Sequence, residues 1–187
     1  MIPLANKSID INQDVIEQCL QGDRQAQFRL YSLYADKMLN VAYRMTNSRE
    51  EAEDILQESF IDAFTRLNTF RFEASFGSWL KRIVVNKTIN RCRMKKLELT
   101  FIESYDFIQV PDKDTADDYL EHLTVDKVKT AMNALPEGAR IVFDLYLFEG
   151  YQHAQIAEAL NISVSTSKTQ YRYAKLKIRE YLKEEVI

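Results

Sequence analysis

The chain has 187 residues and a mass of 21.9 kDa, enough for two small domains with modest cores rather than one large body. Only 4 glycines and 3 prolines occur, too few for the turns of a sandwich or barrel, so the expected fold class is all-α: two small helical domains joined by a flexible acidic linker. The net charge of −3 speaks weakly against nucleic acid until its distribution along the chain is considered.

In chain order, Val15–Leu20 and Ala26–Met45 read as helices, with Phe28, Tyr31, Leu33, Tyr34, Met38, Val41, Ala42 and Met45 supplying apolar faces. A clearer helix spans Arg49–Arg66. Ser48 is its N-cap, Glu51 completes a capping box, and Ala52, Ile55, Leu56, Phe60, Ala63, Phe64 and Leu67 recur at three- and four-residue spacing. The opposite face holds Asp54, Gln57, Glu58, Ile61 and Asp62. A single exposed isoleucine is ordinary on any surface, but beside an acidic row it can form a docking ridge.

The next segment, Leu67 to Trp79, is a loop dense in aromatics that leads into a helix. Its apolar positions Trp79, Leu80, Ile83 and Val84 are expected to fade into solvent towards Met94, leaving Lys87, Asn90, Arg91, Arg93, Lys95 and Lys96 outside. Rings beside cations suit single-stranded nucleic acid, because any base stacks on a ring while the cations follow the backbone. Phe70, Phe72, Phe76 and Trp79 are the candidate rings, and at least half are expected to fill a small core instead.

Charge then changes sign. Residues 1–96 carry 15 basic and 12 acidic groups, residues 97–123 carry 1 basic and 8 acidic, and the remainder 9 and 8. No carboxylate interrupts Lys81, Arg82, Lys87, Arg91, Arg93, Lys95 and Lys96, nor Lys168, Arg172, Lys175, Lys177 and Arg179. Such runs are often plain solvated helix faces. The acidic stretch has no sustained apolar period and reads as a linker, which sets the expected domains at residues 10–96 and 124–187.

Beyond the linker a helix is expected over Val125–Ala134, then one starting near Pro136 in the first helical position and stopping at Gly150. Tyr151 to Lys168 then has a helix-turn-helix pattern: Ile156, Ala157 and Leu160 face inward, Asn161 takes a left-handed turn, Ile162 plugs the corner and Ser163 caps the second helix. Val164, Tyr171, Ala174 and Ile178 are expected inside. Ser165, Thr166, Lys168, Thr169, Gln170, Arg172, Tyr173 and Lys175 are expected outside, the side-chain types that read a major groove from the start of a helix.

Other functions have little support. His122 and His153 stand alone, and no Ser/His/Asp set or glycine-rich phosphate loop occurs, so no enzyme is expected. Cys19 and Cys92 are far apart without a metal-binding pattern and read as ordinary thiols; no metal or cofactor is expected. No apolar run approaches the ~20 residues of a spanning helix, and the start Met1-Ile-Pro-Leu lacks the features of a signal peptide, so a cytoplasmic protein without membrane insertion is expected.

The order of these pieces resembles the extracytoplasmic-function (ECF) group of the sigma-70 family, and the resemblance covers nearly the whole chain. Ala52-Glu-Asp-Ile-Leu-Gln-Glu-Ser-Phe-Ile-Asp-Ala-Phe64 is similar to the family's region 2 helix AEDLVQETFLRAW, and Phe76-Gly-Ser-Trp-Leu-Lys-Arg-Ile-Val-Val-Asn86 to its FRAWLFRIARN. Leu135-Pro-Glu and the helix-turn-helix resemble region 4. The resemblance implies a promoter-reading subunit. Asp54, Gln57, Glu58 and Ile61 would dock on the β′ clamp helices of core RNA polymerase, and region 4 would also touch the β flap. Phe70, Phe72, Phe76, Trp79, Arg82, Asn86, Lys87, Asn90 and Arg91 would capture the −10 element, and the outward set of the recognition helix would read the −35 element of promoter DNA. An anti-sigma partner is implied on the same ground. Asn90 stands where the family usually has Asp, Asn161 where the turn commonly has Gly, and Ser167 where an inward Val is common. The alternatives are a polymerase-independent helix-turn-helix regulator and, further off, a helical interaction adaptor.

Overall fold

A computed structural model of the chain describes residues 12–95 and 125–184. The acidic stretch 97–123, His122, Lys96 and the side chain of Lys95 lie outside them. The chain divides into two compact units, residues 1–90 and 91–187. No described helix is long and apolar enough to cross a membrane.

The first unit is built from α1 (Gln13–Leu20), α2 (Arg24–Thr46), α3 (Arg49–Thr65) and most of α4 (Phe76–Lys95), whose last residues run past the boundary after Asn90, with a short 3-10 turn over Leu67–Thr69. Local chemistry sets the corners. Gly22 takes a φ of 85° and Asp23 caps α2 by accepting from the amides of Gln25 and Ala26 at 2.7 and 3.2 Å. Asn47 ends α2 in the left-handed region at φ 52°, and Ser48 starts α3 by accepting from the Glu51 amide, the expected Ser48 arm of the capping box. Ile16, Leu30, Met45, Ile55, Phe76 and Leu80 are fully buried in this unit. Each such side chain contributes about 1.5–3 kcal/mol of apolar burial.

Here α4 departs from expectation. It starts at Phe76 rather than Trp79 and stays in the core well past Val84: Val85, Thr88, Ile89 and Cys92 are all buried. Thr88 enters because its hydroxyl donates to the Val84 carbonyl at 2.8 Å, which removes the cost of burying it.

The second unit contains α5 (Val125–Asn133), α6 (Glu137–Leu147), α7 (His153–Leu160) and α8 (Val164–Glu184). Its core joins Met132, Leu135, Ala139 and Phe143 to Ala174, Ile178 and Leu182 of α8. Pro136 precedes α6 at the N-cap with ψ 144°, one position earlier than expected. Arg140 is buried and its guanidinium donates to the Leu135 carbonyl at 3.0 Å, closing the α5–α6 corner. Gly150, at φ 73°, lets the chain leave α6 for α7.

Candidate nucleic-acid and docking surfaces

The aromatic loop forms one ring cluster. Phe70 lies 4.7 Å from Phe72, 5.8 Å from Phe76 and 5.3 Å from Trp79 between ring centroids, and Phe76 meets Tyr34 edge-on at 5.3 Å. Phe76 is fully buried and Phe70 nearly so, while Phe72 and Trp79 are half-buried. This corrects the candidate set: Phe70 and Phe76 are core and support the loop, so only Phe72 and Trp79 present ring area that a base can reach. Phe72 also holds a φ of 56°, a conformation costly for a bulky residue.

Cations follow on α4. Arg82, Asn86 and Asn90 are exposed at four-residue spacing and form one ridge, and Arg91 is half-buried beside it. Lys87 behaves differently. Its ammonium lies 2.9 Å from Asp62 Oδ2 and 3.4 Å from Glu58 Oε2, both on α3. The Asp62 hydrogen bond, assisted by Glu58, pushes the Lys87 pKa up against the opposing effect of burial. Sequence reading assigned Lys87 and Glu58 to separate surfaces; the fold brings them together.

On α3, Asp54, Gln57, Glu58 and Ile61 are all exposed, at i, i+3, i+4 and i+7, so they share one stripe. Ile61 is 65% exposed.

The helix-turn-helix is formed as expected at its turn. Asn161 has φ 53° and ψ 51°, the Ile162 amide donates to the Ala157 carbonyl at 3.0 Å, and Ser163 Oγ accepts from the Thr166 amide at 2.9 Å. The burial phase of α8 is shifted, however. Val164, expected inside, is 43% exposed, whereas Ser167 is fully buried and Gln170, expected outside, is 6% exposed. The buried positions Ser167, Gln170, Ala174, Ile178 and Leu182 follow one helical face, which places Gln170 beyond direct reach of a base. Tyr173 and Lys175, also expected outside, are half-buried, Tyr173 against the core and Lys175 with its ammonium 5.8 Å from the Tyr171 ring. Thr166 is half-buried, with its hydroxyl 2.7 Å from Ser163 Oγ. The surface stripe that remains is Ser165, Lys168, Thr169 and Arg172, at i, i+3, i+4 and i+7.

His153, set aside in the sequence, is half-buried and packs beneath this stripe against the inner face of α8. Its ring stacks on Tyr146 at 4.5 Å, meets Tyr171 edge-on at 5.7 Å, and its Nδ1 shares a hydrogen bond with Ser167 Oγ at 2.9 Å. Burial lowers its pKa, and the charges of Lys168 and Arg172 lower it further. The missed signal was the inward Ser167, because a buried hydroxyl needs a partner from the preceding helix. Cys19 and Cys92 are both buried, and burial raises the Cys19 pKa, which leaves a poor nucleophile there.

Two family descriptions match the chain: sigma-70 region 2 over residues 30–98 and sigma-70 region 4 over residues 126–178. The chain is 30% identical over 178 residues to the ECF RNA polymerase sigma factor SigW of Bacillus subtilis, covering 90% of this chain and 95% of that one. It is 29% identical over 172 residues to the ECF RNA polymerase sigma-E factor of Haemophilus influenzae, covering 85% and 88%. Among solved structures, CnrH in complex with the cytosolic domain of CnrY has the same fold, with a TM-score of 0.50 at 21% identity, covering 94% of this chain and 99% of that chain.

Proposed function

This chain belongs to the ECF group of the sigma-70 family of RNA polymerase sigma factors, and from that premise we propose which of its residues carry each step of promoter recognition. Residues 10–96 make the domain that carries region 2, whose match runs two residues further, residues 124–187 the domain that carries region 4, and the acidic stretch 97–123 joins them. The α3 stripe of Asp54, Gln57, Glu58 and Ile61 docks on the β′ clamp helices. Phe72 and Trp79 hold an unstacked base of the −10 non-template strand, with Phe70 and Phe76 bracing them from the core. Extruding a base costs a few kcal/mol, which ring stacking and hydrogen bonds offset. Arg82, Asn86, Asn90 and Arg91 line the path of that strand.

The stripe Ser165, Lys168, Thr169 and Arg172 enters the major groove at the −35 element, with Lys168 and Arg172 on phosphates or guanine edges. Each unit alone has few cations and a chain of net charge −3 behind it, so each binds duplex weakly and loses affinity steeply with salt. Polymerase therefore supplies the selectivity by holding both units at once, which raises their effective concentration over the promoter. The cytoplasm is the compartment of this reading, and the chain has no catalytic chemistry in it. A protein inhibitor that covers these surfaces, as the cytosolic domain of CnrY is bound to CnrH, is part of the proposal.

The observation that carries the reading is the exposed α3 stripe of Asp54, Gln57, Glu58 and Ile61, because an acidic row with an apolar tip, 65% exposed at Ile61, suits a protein partner and repels phosphate. The test is an electrophoretic comparison. Promoter DNA shifted only when core polymerase is present supports the proposal; a specific shift by the chain alone makes it an independent regulator; no shift in either case makes it an adaptor.

A further inference from the structure

Lys87 lies between two surfaces that have separate tasks in the proposed function. It follows Asn86 on α4, one residue around the helix from the exposed Arg82, Asn86 and Asn90 ridge, yet its ammonium is turned to α3. There it bridges Asp62 at 2.9 Å and Glu58 at 3.4 Å. These two carboxylates are one turn apart, and Glu58 also belongs to the exposed docking stripe. The Lys87 side chain is 24% exposed and those of Glu58 and Asp62 are 51% and 34% exposed. The cluster therefore sits at the surface, where the pair is weak and its partners can be exchanged. Any group that engages the Glu58 carboxylate removes one of the two charges that hold the ammonium in place. Four flexible methylenes then allow the cation to swing towards the neighbouring ridge.

We propose that Lys87 couples polymerase docking to capture of the −10 strand. In the free chain it is held by Glu58 and Asp62. When the docking stripe is occupied and Glu58 is drawn to the polymerase, only Asp62 still holds the ammonium, and that single surface contact is exchanged for a phosphate of the non-template strand. Docking then adds a cation to the single-strand path at the moment it is needed. Lys87 is in this sense a positioning residue whose charge is available to DNA in one state and withheld in the other. This inference rests on the sigma-factor reading of α3 and α4.

The test compares the affinity of a non-template −10 oligonucleotide for the full chain, free and assembled with core polymerase, in wild type and Lys87→Gln. The expected result is a severalfold loss in the assembly and no loss in the free chain. Equal loss in both states means a plain phosphate contact and overturns the coupling, as does no loss in either. A second variant, Glu58→Gln with Asp62→Asn, should raise oligonucleotide affinity of the free chain severalfold, and the gain should vanish when Lys87→Gln is added. A gain that survives Lys87→Gln reflects only the lost negative charge and also overturns the inference. Co-elution of the wild-type chain with core polymerase is read in parallel. Its failure overturns the docking reading itself, whereas intact assembly without a Lys87 effect overturns only the coupling.

Discussion

His153 Nδ1 and Ser167 Oγ lie 2.9 Å apart and tie the first residue of α7 to the buried face of α8. The bond fixes the two helices of the DNA-reading hairpin against each other. Ser167→Ala should destabilise the second unit by about 1–2 kcal/mol, the cost of a buried polar group losing its partner. Burial and the nearby Lys168 and Arg172 hold the folded His153 below its ordinary value of 6.5, so the unfolded chain takes up this proton first on acidification. The stability that His153 contributes is therefore complete above pH 6.5 and is lost as pH falls through the lower folded value. Thermal melts across that range should show a shallower acid loss in His153→Gln than in wild type; equal slopes would contradict this account.

Gly77 faces the Tyr34 ring so closely that a Cβ there would stand 2.8 Å from Tyr34 Cε1. Tyr34 is anchored by its edge contact with Phe76 and by the Asn12 side chain, which donates to its hydroxyl at 3.0 Å, so the ring cannot swing freely away. Gly→Ala inside a helix ordinarily gains about 0.5–1 kcal/mol. At this position the clash should outweigh that gain and give a net loss of about 1–3 kcal/mol, measured by denaturant unfolding.

Ile61→Asp should lower affinity for core polymerase at least tenfold, read by titration with labelled polymerase, because the ridge loses its apolar tip and gains a desolvation cost. Ile61 is 65% exposed, so unfolding free energy should stay within about 0.5 kcal/mol of wild type. Unchanged polymerase affinity would sink the docking assignment.

Neighbouring positions on α8 should behave oppositely. Lys168 is exposed, and Lys168→Ala should weaken binding of polymerase-held chain to the −35 duplex and reduce the slope of log affinity against log salt by about 0.9. Gln170 is 6% exposed, and Gln170→Ala should reduce the melting temperature of the second unit while leaving base preference unchanged.

The comparison of Gln170 with Asn161 separates what a linear reading reaches from what it does not. The turn at Asn161, the caps Asp23, Ser48 and Ser163, and the breaks at Gly22 and Gly150 are all decided within a few residues of chain. Hence the elements, and the helix-turn-helix itself, were readable from residue types and spacing. Register was less accessible. Ser167 and Gln170 are each compatible with either face of α8 on polarity alone, because a hydroxyl or amide can be buried once it is given a partner, whereas Val164, the first residue of α8, is left 43% exposed despite its apolar side chain.

By itself, the sequence determined the helical class, the order of the helices, the charge sorted along the chain and the family that order belongs to. Only the tertiary structure decided that Phe70 and Phe76 brace the loop from within, that α4 stays buried to Cys92, and that the stripe α8 leaves exposed is Ser165, Lys168, Thr169 and Arg172. It alone joined Lys87 to Glu58 and Asp62, and His153 to Ser167. Caps and turns are settled by neighbours in the chain, whereas burial and ion pairing are settled by whichever helix arrives from elsewhere to cover a face.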